Sequence, residues 1–204
     1  MMIGWKKYDG VTRALHHLLA TGIVVQLTLS QVMRVPPGPG QGVRDWRREA
    51  FEIHARLGLA VALLCALHWI WLFLPRAVPG AAALFPWWQR DGRVRLAHEA
   101  RQWLRGRIGS SRFPSTLASS VHGGGLVAVT ISASSGLCNY LGYFLGVGIP
   151  REWLHRVSLL HIYAGWALIV YLIGHGALAV YHWWVERRSE AAGSAGHSDG
   201  RDPR

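Results

Sequence analysis

Apolar residues in this chain are gathered into four long runs, roughly residues 12–34, 50–74, 118–146 and 157–185. Each meets the requirement of about 20 residues for a helix that crosses a bilayer. That feature predicts an all-α fold, an integral membrane four-helix bundle. The last run, LLHIYAGWALIVYLIGHGALAVYHWW, also contains His161 and His175. Fourteen residues separate them, nearly four whole helical turns, so both imidazoles leave one face of the helix. Their separation along the axis is about 21 Å at 1.5 Å per residue, which puts one towards each surface of a hydrocarbon core about 30 Å thick. Ionisable side chains inside a span are functional candidates by default.

The first run follows Lys6, Lys7 and Arg13, as in a signal peptide. It is longer than an ordinary signal core and no A-x-A-like site follows, so it is expected to remain as the first membrane helix. A net charge of +11 suggests nucleic acid, but the location of the charge argues for no nucleic acid and for a membrane surface instead. Eight arginines lie from Arg76 to Arg112 against only Asp91 and Glu99. By the positive-inside rule this second connection is cytoplasmic, and both termini with it. Arg187 and Arg188 agree with that orientation. Cys65 and Cys138 fall within spans, form no CxxC pair and read as small core residues.

Residues 1–188 read as one membrane domain and residues 189–204, small and polar, as a disordered cytoplasmic tail. VPPGPGQG breaks the chain after the first span. Within the second connection, Arg93 to Ile108 places Leu96, Ala100, Trp103, Leu104 and Ile108 on one side, the pattern of an interfacial helix on an anionic surface, with a solvated basic loop as the alternative. Trp69, Trp71, Trp87, Trp88, Trp183 and Trp184 cluster at one set of span ends and Trp153 at the other, as an aromatic belt would.

Depth sorts the histidines. With the N-terminus inside, His54 and His161 lie near the outer face. Near the inner face lie His175 and four candidate partners: His16, His17, His68 and His122. Imidazole is a good iron ligand, and a flat macrocycle between helices needs one histidine from each of two facing helices. Two such pairs stacked across the bilayer make a transmembrane electron path. Zinc needs three or four ligands at one depth, and the outer face offers two, with His155 at the boundary. Residues four positions after His16, His54, His161 and His175 are Ala20, Gly58, Gly165 and Ala179, small enough to leave room for a ring along the helix. Interior histidines that merely bond between helices are the plainer alternative.

YDGVTRALHHLLA, HARLG, the stretch from His122 to Gly136 and the His161–His175 segment together resemble the prokaryotic cytochrome b561 family over most of residues 5–186. The resemblance implies a four-helix bundle of the bacterial inner membrane with two haem b groups. It implies His16 with His175 as inner iron ligands and His54 with His161 as outer ones. It further implies an electron-transfer oxidoreductase component exchanging with the quinone pool, and with a periplasmic redox protein or a small oxidant or reductant. Two positions depart from the family pattern: His17 stands where Trp is common, and His68 where Arg is common late in span two. His68 lies fourteen residues after His54, so it is an alternative inner partner for His175. Similar spacing occurs in cytochrome b subunits that anchor hydrogenases and formate dehydrogenases, which leaves an anchor role as one alternative and a haem-free transporter or structural subunit as another. Arg13, Arg56 and Arg156 lie beside the ligands and are candidates to pair with haem propionates. Among His17, His68 and His122, one is a candidate for handling the proton that accompanies an electron at a quinone pocket, His68 first.

Overall fold

The computed structural model describes residues 8–36, 45–77, 80–106 and 115–197. Its elements in chain order are α1 (Gly10–Val32), α2 (Trp46–Leu72), α3 (Ala81–Leu84), a 3-10 turn (Pro86–Trp88), α4 (Arg90–Leu104), α5 (Thr116–Tyr143) and α6 (Arg151–His197). Helices α1, α2, α5 and the Arg151–Tyr181 part of α6 are each long and apolar enough to cross a membrane. The chain is therefore an all-helical, multi-pass membrane protein, as the four apolar runs predict.

Local chemistry explains where the helices begin. Asp9 caps α1, its carboxylate accepting from Thr12 N at 2.8 Å and from Thr12 Oγ1 at 2.5 Å. Asp45 caps α2 through Arg48 N, and Ser115 caps α5 through Ala118 N. Each satisfies an amide that has no partner within its own helix. The start of α5 is also held by Glu99 of α4, whose two carboxylate oxygens accept from Thr116 N and Leu117 N at 3.1 and 2.8 Å. Helix α6 begins six residues before the apolar run does, because its first turn is charged and hydropathy does not register it.

Backbone packing joins α1 to α2, α2 to α5 and α5 to α6. The core between them is Leu19, Ile23, Val61, Cys65, Leu126, Val129 and Leu168. Outward residues are apolar too: Val170 and Ile173 are 71% and 70% exposed, which suits lipid and not water.

Three details differ from the sequence reading. The helix of the second connection spans Arg90–Leu104, not 93–108; Leu96 and Ala100 are half-buried while Trp103 and Leu104 are exposed, and Ile108 lies outside the described residues. The preceding segment is no simple loop. Phe85 is fully buried, stacked on Trp69 at 5.4 Å and on Trp88 at 4.5 Å. It docks at Gly123 of α5, where a side chain would strike the Leu84 carbonyl. Trp69 consequently belongs to the core and not to an interfacial belt; its indole donates to Thr130 Oγ1 at 2.8 Å. At the other end of the chain, residues 189–197 continue α6 instead of forming a disordered tail. Glu190, Ala191 and Ala192 are helix formers extending a helix already nucleated. Residues 198–204 lie outside the described residues.

Candidate cofactor sites between the helices

His161 and His175 of α6 each face a histidine from the α1–α2 pair. At the end of the bundle away from α4, His54 of α2 meets His161, with ring centroids 6.1 Å apart and planes at 78°. At the α4 end, His16 of α1 meets His175, 6.4 Å apart at 65°. A metal–imidazole bond is about 2 Å and the nitrogen lies about 1 Å from its ring centroid, so two imidazoles on opposite sides of one iron have centroids about 6 Å apart. Both separations suit that arrangement.

At the His54–His161 end, hydrogen bonds set the tautomers. His54 Nδ1 lies 3.2 Å from the Gln26 carbonyl, and His161 Nδ1 lies 2.9 Å from the Ser132 carbonyl. A carbonyl only accepts, so each Nδ1 carries the proton and each Nε2 keeps its lone pair for a metal. Gln26 Nε2 donates back to the His54 carbonyl at 3.0 Å, clamping α1 to α2. Ser135 Oγ adds a contact to His161 Nδ1 at 3.2 Å while donating to the Ile131 carbonyl. A cavity of about 450 Å³ opens beside the pair, lined by Phe51, Gly58, Val129, Gly136, Gly165 and Leu168 among others. Gly165 faces open space, and a side-chain carbon at Gly136 would lie 2.9 Å from His161 Cε1. Two donor nitrogens over an apolar cavity are the surroundings a flat, largely apolar macrocycle requires.

The α4 end is more crowded. His122 of α5 packs 5.0 Å from His175 and 6.3 Å from His16, and His17 lies 5.7 Å from His16. His122 Nδ1 is held by the Ala118 carbonyl at 2.8 Å. For ligands on opposite sides of an iron, the 5.0 Å approach of His122 to His175 is too short, while His16 suits both His175 at 6.4 Å and His122 at 6.3 Å; the His161–His175 register on α6 favours His175. His68 is 9% exposed with no hydrogen-bond partner for Nδ1, and it makes no ring contact with His175. Among the described residues, no three His, Cys, Asp or Glu side chains converge on one point. His155 is exposed.

The candidate propionate partners differ in their freedom. Arg56 is 3.9 Å from Glu52 and Arg156 is 2.6 Å from Glu152, so both carry carboxylate partners in the protein. Arg13 is half-buried, three residues before His16, and forms no ion pair among the described residues.

Sequence reasoning overlooked Gln26, Ser132 and Ser135. Gln26 had a signal, being a lone amide in VVQLTL. The Ser132 contribution is a carbonyl, which no side-chain pattern announces. Residues 7–192 match the family model described as Prokaryotic cytochrome b561. No curated protein and no solved structure matches the chain.

Proposed function

The chain belongs to the prokaryotic cytochrome b561 family, membrane electron-transfer cytochromes that bind haem b, and from that premise we propose that it holds two haems and carries electrons across the bacterial inner membrane in exchange with quinone. The observation that carries this reading is the pair of imidazole–imidazole separations, 6.1 and 6.4 Å, one at each end of the bundle. His54 and His161 hold the outer haem, and His16 and His175 the inner one. The bound haems supply one-electron redox chemistry. The protein supplies axial nitrogens, the tautomers that keep them free, and an apolar enclosure between helices.

The arginines of the second connection support an orientation with the α4 end and both termini in the cytoplasm. Arg13 pairs with a propionate at the inner face; Arg56 and Arg156 do so at the outer face by exchanging their glutamate partners. A quinol gives up two electrons and two protons. The electrons leave one at a time to the bound haems, His68 takes one proton and water at the interface the other, and the buried His68 Nδ1 without a hydrogen-bond partner supports that role. Redox partners outside the bilayer are a periplasmic protein or a small oxidant or reductant.

Pyridine-haemochrome analysis of the purified chain tests the central claim. About two haems per chain is the expected result, and a colourless protein would reduce the conclusion to a helical bundle. For His68, the His68→Ala variant is expected to keep both haem spectra and lose quinol oxidation. Unchanged quinol oxidation would remove it from the mechanism.

A further inference from the structure

Three of the histidines at the two sites are pinned through Nδ1 to a backbone carbonyl: His54 by Gln26, His161 by Ser132, His122 by Ala118. His175 is different. Among the described residues, neither of its nitrogens forms a hydrogen bond, yet its ring lies flat against Tyr171, one helical turn earlier on α6. The centroids are 5.5 Å apart and the planes only 10° from parallel, an offset stack. Tyr171 in turn is seated in a hollow of α5. A side-chain carbon at Gly125 would overlap Cζ and the hydroxyl of Tyr171, and would come within 2.8 Å of its Cε1. Gly125 is itself buried. The α5 backbone at Gly125 thus abuts the tip of the Tyr171 ring, and the Tyr171 ring in turn stacks on His175.

We propose that Tyr171, seated against Gly125, is a positioning residue that fixes the plane of the His175 imidazole, doing by stacking what backbone carbonyls do for His54, His161 and His122. The proposal rests on the reading of His175 as an axial ligand. An axial imidazole can rotate about its metal–nitrogen bond unless something holds its plane. The angle between the two axial rings sets how the iron d orbitals split, and so the g-values of the ferric form. In this protein that angle is 65° at the His16–His175 site. Loosening Tyr171 changes the angle at that site and leaves the His54–His161 site, 78° apart and pinned by hydrogen bonds, untouched.

The test is low-temperature electron paramagnetic resonance with redox titration on purified, haem-loaded protein. Wild type is expected to show two low-spin ferric signals. Tyr171→Phe keeps the stack and is expected to leave both signals and both potentials in place. Tyr171→Leu removes it and is expected to shift one signal and one potential, with two haems per chain retained. Gly125→Ala displaces the ring by a single methyl and is expected to move the same signal by a smaller amount. Two haems with both signals unmoved in Tyr171→Leu would overturn the proposal. If Tyr171→Leu loses a haem, Gly125→Ala decides: an unmoved signal there overturns the proposal and a moved one supports it. His175→Ala separates this from the underlying reading. Retention of both haems in that variant shows that His175 is no ligand, whatever Tyr171 does.

Discussion

The two ends of the bundle present the same chemical pair, one histidine from α6 and one from the α1–α2 hairpin, in unlike surroundings. At the His54–His161 end both rings are tied to carbonyls of neighbouring helices, and a cavity of about 450 Å³ adjoins them. At the His16–His175 end a third ring, His122, touches both members of the pair, and the segment from Leu84 to Trp88 folds back onto α5 beside it. The fourteen-residue spacing on α6 places His161 and His175 at two depths of the bundle. Helix α5 makes the difference between them, with serine and carbonyl groups at one end and glycine, histidine and a docked aromatic cluster at the other. Because the groups that hydrogen-bond to a ligand and the access of solvent tune a haem, haems held by these two histidine pairs would be expected to have separate reduction potentials.

The strongest way to break this comparison is to ask which ring at the crowded end is a ligand. His16→Ala is expected to lower the haem content from about two per chain to about one, since the 6.4 Å separation suits opposite coordination. His122→Ala is expected to retain two, because His122 lies only 5.0 Å from His175, and its 6.3 Å separation from His16 would pair α1 with α5 and leave out the α6 histidine in register with His161. The reverse outcome, with His122→Ala losing a haem and His16→Ala keeping both, would transfer the ligand role to α5. His161→Ala serves as the reference: it has no rival at its own end and is expected to lose one haem.

Much of this arrangement was legible in the sequence, and the reason lies in periodicity. Apolar runs longer than 20 residues announce spanning helices, and depth along each helix is a count of residues. That was enough to place His54 with His161, and His175 among the histidines at the other end of the bundle. The capping residues Asp9, Asp45 and Ser115 went unread, although each is of a capping type and stands just ahead of a helix. What escaped was everything set by contact between helices. Four candidate partners for His175 share one depth, and only the rotation of α1, α2 and α5 decides between them. Phe85 sits in a short apolar segment, LFPWW, that periodicity cannot assign; Gly123 makes its burial possible, and that pairing is tertiary. The glycines and serines of α5 read as packing residues. Gly125 and Gly142 do pack, against Tyr171 and Leu154, but Ser135 and Gly136 also touch His161.

A weaker perturbation addresses the docked segment. Phe85 is fully buried between Trp69 and Trp88, so Phe85→Ala leaves a hole at the α4 end at a cost of about 3–5 kcal/mol, the range for large aromatic truncations in a core. Membrane proteins of this kind unfold irreversibly in detergent, so the useful measurement is the rate of haem loss on warming, resolved by spectrum. The haem at the His16–His175 end is expected to leave sooner than in the parent protein. The other haem is expected to leave at an unchanged rate. Equal acceleration at both ends would mean that the Phe85 cluster supports the whole bundle and not one site.

Ser135→Ala is the mildest change and sharpens the comparison from the opposite end. His161 Nδ1 has two acceptors within reach, the Ser132 carbonyl at 2.9 Å and Ser135 Oγ at 3.2 Å. The hydroxyl is the lesser of them, because it already donates to the Ile131 carbonyl at 2.7 Å and is the longer contact. Removing it leaves the carbonyl in place, and with it the tautomer that exposes Nε2. A neutral hydrogen bond is worth about 1 kcal/mol net, which corresponds to less than about a tenfold change in haem retention. Loss of a sole outer-shell partner commonly costs about 10–100-fold. The expected result is therefore two haems per chain, a small shift in one reduction potential, and no shift at the His16–His175 end. A shift as large as that of a lost sole partner would mean that the hydroxyl, and not the backbone of α5, holds His161 in place, and the rigidity ascribed to this end would then rest on a single side chain.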